Sequence, residues 1–269
     1  MINRYNIIKE YDKIHKNHCI SNLNKEDFHQ FINGLYQAEG TLGAYFVKID
    51  SLRVTFLFSI GQNYSAEALD VLLSLQKILN VGVVKLEFNS NNQPHIRYTV
   101  SNTKDILYKT LPYFSLLYGQ KRRDMAIIKK IYELSLHNLN DYINNSISNS
   151  EFIHLVYSIN PEGNKRKVSL EEKLKTFNCS LMDYNNLDVK ENNDLPSKLF
   201  IIGLFLGYGS IGFVFDSPPS RLPVFYIKIV FNFLAQSNSH YNVQLLRLIA
   251  KKMDLKPNIY IRKSGSIVL

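Results

Sequence analysis

Tryptophan is absent from the 269 residues, and cysteine occurs only at Cys19 and Cys179. Two isolated cysteines build neither a thiolate metal cluster nor a disulfide framework. Long apolar runs are missing too: the best candidates, near 200–206 and 224–235, are broken by Gly, Lys and Asn and do not reach the length of a membrane span. The N-terminal residues mix charges of both signs and lack the apolar core of a signal peptide. No membrane partner is therefore expected. What is present is an apolar content of 45%, sufficient for a sizeable core and against disorder. The formal net charge is +9 and the pI about 9.3, a balance that favours a polyanionic partner but is shared with generic basic proteins. The abundance of Asn, Lys, Ile and Tyr is the bias of an AT-rich genome and fits an organelle-encoded protein.

One stretch organises the chain. Residues 31–43, Phe-Ile-Asn-Gly-Leu-Tyr-Gln-Ala-Glu-Gly-Thr-Leu-Gly, read as a helix end running into a strand. The helix is apolar at Phe28, Phe31, Ile32 and Leu35, and Gly34 and Ala38 lie one turn apart. That spacing leaves a strip where a second backbone can approach closely. Gly40 suits a helix C-cap. Glu39 stands where the helix dipole repels a carboxylate, beside the free carbonyls of the last turn. Such oxygens suit a hard cation such as Mg²⁺; a solvated Glu near a cap reads the same way.

Residues 200–212, Phe-Ile-Ile-Gly-Leu-Phe-Leu-Gly-Tyr-Gly-Ser-Ile-Gly, repeat the pattern, with Gly203, Gly207 and Gly209 matching Gly34, Ala38 and Gly40. The repetition implies two equivalent halves joined along their small strips. Tyr208 stands where Glu39 stood. Gly34-Leu-Tyr-Gln-Ala-Glu-Gly40 and Gly203-Leu-Phe-Leu-Gly-Tyr-Gly209 resemble the two signature helices of a single-chain LAGLIDADG homing endonuclease or maturase of the organellar intron-encoded type.

The chain in order supports two α+β repeats. Residues 1–24 form an N-terminal extension with a short amphipathic helix, and Asn24 caps the signature helix. Alternation through Thr41–Ile49 and Arg53–Ile60 predicts a hairpin, Ser65–Leu79 a helix, and Val81–Phe88 with His95–Val100 a second hairpin. Helices follow over 103–117 and 122–136. The first repeat, 25–137, is thus αββαββα, with helices on one face of an antiparallel sheet. Residues 138–194 are a linker: loop over 137–150, a short helix Ile153–Asn160, basic Lys165, Arg166 and Lys167, a helix capped by Ser169, then a polar stretch over 176–194. The second repeat, 195–269, carries strands Ser210–Phe215 and Val224–Leu234 about a turn at Asp216–Ser220, a helix over 241–253 and a strand over 258–262. Its last strand or two and its closing helices are expected to be missing, leaving a truncated repeat.

The resemblance implies two pseudo-symmetric repeats whose sheets form a concave saddle along nucleic acid, with two acids and divalent cations at the helix ends. Candidate outward sheet residues are Tyr45, Arg53, Lys85, Glu87, His95 and Arg97. Arg or Lys there can read guanine or hold phosphate, and an ordinary solvated face has the same pattern. Lys121 matches the position where the family keeps a basic residue near the scissile phosphate. Lys121, Arg122 and Arg123 equally suit phosphate clamps or a solvated helix start. Lys165, Arg166 and Lys167 resemble the family's basic linker and can meet a phosphate backbone. The expected catalytic residues are Glu39, also the Mg²⁺ ligand, and Lys121; the expected helix interface is Gly34, Ala38, Gly203 and Gly207.

Tyr208 is neutral at pH 7 and supplies no second acid. The expectation is therefore a nucleic-acid binder impaired in double-strand cleavage and retained for structured RNA, as a splicing cofactor or organellar ribosome component, in the mitochondrial matrix. Ribosomal or splicing proteins would cover the open second repeat. The alternative is a homing endonuclease or nickase cutting duplex DNA with a divalent cation.

Overall fold

The chain folds as α+β. The computed structural model describes residues 4–17, 24–137, 146–159, 168–180, 189, 192–216, 226–235, 240–255, 260–261 and 267–268. Helix α1 (Arg4–Asn17) precedes the first repeat. That repeat runs through α2 (Lys25–Glu39), β1 (Gly40–Phe46), β2 (Val54–Asn63), α3 (Ala66–Leu79), β3 (Val83–Phe88) and β4 (Pro94–Val100). It closes with α4 (Thr103–Asp105), a π-helical turn (Ile106–Thr110), α5 (Leu111–Tyr113) and α6 (Gly119–His137). Helices α7 (Ser146–Ser158) and α8 (Leu170–Thr176) lie between the repeats. The second repeat comprises α9 (Lys198–Tyr208), β5 (Gly209–Asp216), β6 (Tyr226–Ala235), α10 (His240–Lys252), β7 (Tyr260–Ile261) and β8 (Ile267–Val268).

Two compact units result: one of residues 1–23, 40–115 and 120–191, the other of residues 24–39, 116–119 and 192–269. In the first, four antiparallel strands are ordered β1-β2-β4-β3. Alternation sends Leu42, Ala44, Phe56, Phe58, Ile60, Ile96, Tyr98 and Val100 to one buried face. Helix α3 contributes buried Leu69, Leu72, Leu75 and Leu79, is started by Ser65 accepting from the Ala68 N–H, and ends at Asn80 in the left-handed region (φ 52). The helix expected over 103–117 stops early. Pro112 withholds the N–H that the Tyr108 carbonyl would receive, the helix widens over 106–110, and Phe114 leaves it at φ −93, ψ 53.

The segment expected to be loop over 137–150 already contains the start of α7 at Ser146; residues 138–145 lie outside the described ones. The interrepeat helices pack on the end of β1. Phe46 meets the rings of Phe152 and Tyr157 at 6.2 and 6.1 Å, and the Tyr157 hydroxyl donates to the carbonyls of Val168 and Ser169. Ser169 caps α8, accepting from the Glu172 N–H at 3.1 Å. Lys165, Arg166, Lys167 and the turn after Asp216 lie outside the described residues.

The second unit has its own antiparallel sheet, ordered β5-β6-β8-β7, which repeats the topology of the first. This corrects the expectation of missing strands: β7 falls within the stretch 258–262, and β8 completes the sheet. Both are only two residues long, too short for period-2 alternation to register in sequence. Among the described residues no counterpart of α4–α6 follows β8. Buried Ala38, Tyr118, Phe200, Ile201, Leu204, Leu245, Leu246 and Ile249 form this unit's core. Among the described residues no helix is long and apolar enough to cross a membrane.

Candidate nucleic-acid face and helix-end site

The signature helices α2 and α9 meet backbone to backbone. A Cβ added at Gly34 would lie 1.9 Å from the Phe200 carbonyl oxygen, and one at Gly203 2.0 Å from that of Phe31. The reciprocity marks a pseudo-twofold crossing that only glycine permits. One turn on, a Cβ at Gly207 would lie 2.4 Å from the Ala38 Cβ and 2.9 Å from the Glu39 Cγ. Gly207 thus makes room for the Glu39 side chain, which is partly exposed at the C-terminal end of α2. The expected glycine cap is not formed: Gly40 pairs with Ile60 as the first residue of β1, so helix passes directly into strand.

A short segment, 116–119, is clamped onto α2. The Leu116 N–H donates to Asn33 Oδ1 (3.2 Å), the Tyr118 N–H to Gln37 Oε1 (2.9 Å), and Gln37 Nε2 back to the Tyr118 carbonyl (3.4 Å). The Tyr118 ring packs edge-on against Phe200 at 5.3 Å, and its hydroxyl donates to the Asp194 carbonyl. Asn33 and Gln37 were not singled out from sequence; two amides inside the otherwise apolar stretch Phe31–Ala38 were the available signal.

In the first unit, Lys121 sits in the first turn of α6 and its Nζ donates to the Gly40 carbonyl, one residue beyond Glu39 in the chain. A cation in that turn is opposed by the helix dipole, so the carbonyl offsets an otherwise unfavourable position. Arg122 and Arg123 are also half-buried, and the Arg123 Nε is buried with no hydrogen-bond partner among the described residues.

The sheet face opposite the core collects the other candidates. Register places Gly61, Arg97 and Lys85 side by side across three strands, with Asn63, His95 and Glu87 in the next row. Tyr45 opposes Thr55 on the same face, and the Arg53 carbonyl accepts from the Val47 N–H at 2.9 Å, which carries the register one step beyond β2 and keeps Arg53 on that parity. Arg97 Nε faces Glu87 Oε2 at 3.4 Å. Two glycines seat rings flat on this face: a Cβ at Gly61 would lie 2.6 Å from His95 Nε2, and one at Gly43 2.5 Å from the Tyr45 hydroxyl. Burial, then the Arg97 charge, push the His95 pKa down, against an upward pull from Glu87, which favours the neutral imidazole. Neither seat was expected from sequence, although a glycine inside a strand pattern signals such close approach.

Among the described residues no three His, Cys, Asp or Glu side chains gather as a metal site. Glu39, with carbonyls of the last turn of α2, is a donor set for one hard cation but not for two.

The family model described as LAGLIDADG endonuclease matches residues 32–132. No curated protein matches the chain in sequence. Among solved structures, the I-LtrWI LAGLIDADG homing endonuclease bound to target DNA is 20% identical, with TM-score 0.67 over 91% of this chain and 78% of that one. The I-SmaMI LAGLIDADG homing endonuclease bound to cleaved DNA is 19% identical, with TM-score 0.67 over 92% of this chain and 77% of that one. I-SmaMI bound to uncleaved DNA in the presence of calcium ions is 19% identical, with TM-score 0.66 over 91% and 78%. The family model thus matches the first repeat, the signature helix recurs in the second, and the fold of the matched LAGLIDADG homing endonucleases is shared over most of the chain.

Proposed function

We propose that the chain binds duplex DNA through the outward face of the β1-β2-β4-β3 sheet and nicks one strand, using Glu39. The observation that carries this reading is the gathering of Tyr45, Arg53, Lys85, His95 and Arg97 on a single sheet face. A face of strands fits the major groove, where Arg pairs bidentately with guanine and Lys holds phosphate. The matched structures name DNA as what those relatives hold. That supports duplex DNA over the structured RNA expected from sequence, and no comparison supports ribosomal or splicing partners. The basic Lys165, Arg166 and Lys167 of the linker add phosphate contacts in this reading, and the residue bias fits an organelle-encoded protein. Its organisation is an extension 1–24, repeats 25–137 and 195–269, and the linker 138–194.

Glu39 would hold one divalent cation, and a relative solved with calcium ions supports that class of ion. When bound, such a cation polarises phosphate oxygens and lowers the pKa of water. Lys121 is the cation assigned to phosphate charge that develops during cleavage. Tyr208 supplies no carboxylate, which limits the reading to one strand. The test is incubation of a supercoiled plasmid library with Mg²⁺ and either the unsubstituted chain or Glu39→Gln. Nicked circles in excess of linear DNA, lost in the variant, are expected. Undiminished nicking by Glu39→Gln, or none by the unsubstituted chain, would overturn the cleavage assignment.

A further inference from the structure

Lys173 has no exposed surface. From α8 its ammonium donates to three carbonyls of the β1–β2 turn: Lys48 at 2.9 Å, Ile49 at 2.6 Å and Ser51 at 2.7 Å. The rings of Phe46 and Phe177 lie 4.1 and 4.9 Å from Nζ. An ammonium has three donors, and all of them are used here. Burial of a charge is tolerated only with such complete pairing. The turn has little else of its own to hold it. The Ser51 N–H reaches the Lys48 carbonyl at a long 3.4 Å, and the Arg53 N–H is held by the Ser51 side chain at 3.0 Å. Three carbonyl dipoles aimed at one point repel one another unless a cation stands there.

The turn sits between two residues of the outward face. Tyr45 adjoins Phe46, whose ring packs on the ammonium, and Arg53 is tied back through its carbonyl to the Val47 N–H at 2.9 Å. We propose that Lys173 is a positioning residue of the nucleic-acid face: through it the interrepeat helix α8 fixes where Tyr45 and Arg53 meet duplex DNA. This rests on the DNA-binding reading above and deepens it, because it makes the linker part of the recognition surface.

The test is a double-mutant cycle in the full chain with Lys173→Met, which keeps the length of the side chain without its donors, and Arg53→Ala. Affinity for mixed-sequence duplex is read by fluorescence anisotropy, and amide exchange by mass spectrometry. Each single variant is expected to lose about tenfold in affinity, and the double variant little more than Arg53→Ala alone. Exchange over residues 47–53 should accelerate in Lys173→Met while α3 stays protected. Should Lys173→Met not fold, Lys173→Arg takes its place: one planar guanidinium cannot serve three carbonyls from a single atom, so a smaller loss is expected, again absent beside Arg53→Ala. Multiplicative losses in the cycle, or unchanged exchange at the turn, would overturn the proposal. Absence of duplex binding by the unsubstituted chain would overturn the DNA reading with it, whereas binding with multiplicative losses would overturn this inference alone.

Discussion

Helices α2 and α9 are the same motif in two settings, and their differences show what each setting asks of a sequence. At the crossing they are interchangeable, Gly34 against Phe200 and Gly203 against Phe31. On the faces turned away from the crossing they diverge. Asn33 and Gln37 of α2 are buried beneath segment 116–119, whereas the matching Ile202 and Leu206 of α9 are 50% and 61% exposed. Phe200 is 1% exposed beneath Tyr118, and its counterpart Phe31 is only partly buried. The polar pair serves backbone groups, while the apolar pair serves none among the described residues. The third divergence, Glu39 against Tyr208, limits the proposed cleavage to one strand.

The crossing offers the largest way to break this pairing. Gly203→Val drives a side chain into the Phe31 carbonyl, and a loss of about 4 kcal/mol or more in urea-unfolding free energy is expected. Gln37→Leu strands the Tyr118 N–H and carbonyl and should cost about 2–3 kcal/mol by the same measurement, with Asn33→Leu nearer about 1–2. The counterpart exchange, Leu206→Gln, should stay within about 0.5 kcal/mol because it touches no buried group. If Leu206→Gln destabilises as much as Gln37→Leu, the two faces are not as different as they look. Tyr208→Glu sharpens the third divergence: under the cleavage proposal it should raise the ratio of linear to nicked plasmid, and an unchanged ratio would count against a one-acid limit.

A smaller effect concerns pH. Burial pushes the Lys173 ammonium down to about 8 from the ordinary 10.5, with Asp50 pulling the other way. The folded value lies below the unfolded one, so between these values the unfolded chain binds more protons. This group's contribution to stability is therefore present above 10.5 and lost as pH falls through about 8. Urea midpoints of the unsubstituted chain relative to Lys173→Met should rise from pH 8 to pH 10; a fall would show that its three carbonyl bonds hold the proton more tightly than in the unfolded chain.

Much of this architecture was legible in sequence for physical reasons. Period-2 alternation placed Tyr45, Arg53, Lys85, His95 and Arg97 on one face because strand geometry allows no other parity. Small residues repeated one turn apart gave the helix crossing. Ser169 announced a helix start. The rest depends on partners distant in the chain. Lys173 looks like any helix-surface lysine until residues 48–51 close around it. Asn33 and Gln37 gain meaning only from segment 116–119, and β8 is recognisable only through its partners β6 and β7.

The most direct measurement of the central claim is the salt dependence of binding to duplex DNA and to structured RNA, for the unsubstituted chain and for Arg53→Ala/Lys85→Ala/Arg97→Ala. Tighter binding to the duplex is expected, with a slope of log affinity against log salt that is shallower in the triple variant by about 2–3. An unchanged slope, or tighter binding to RNA, would contradict it.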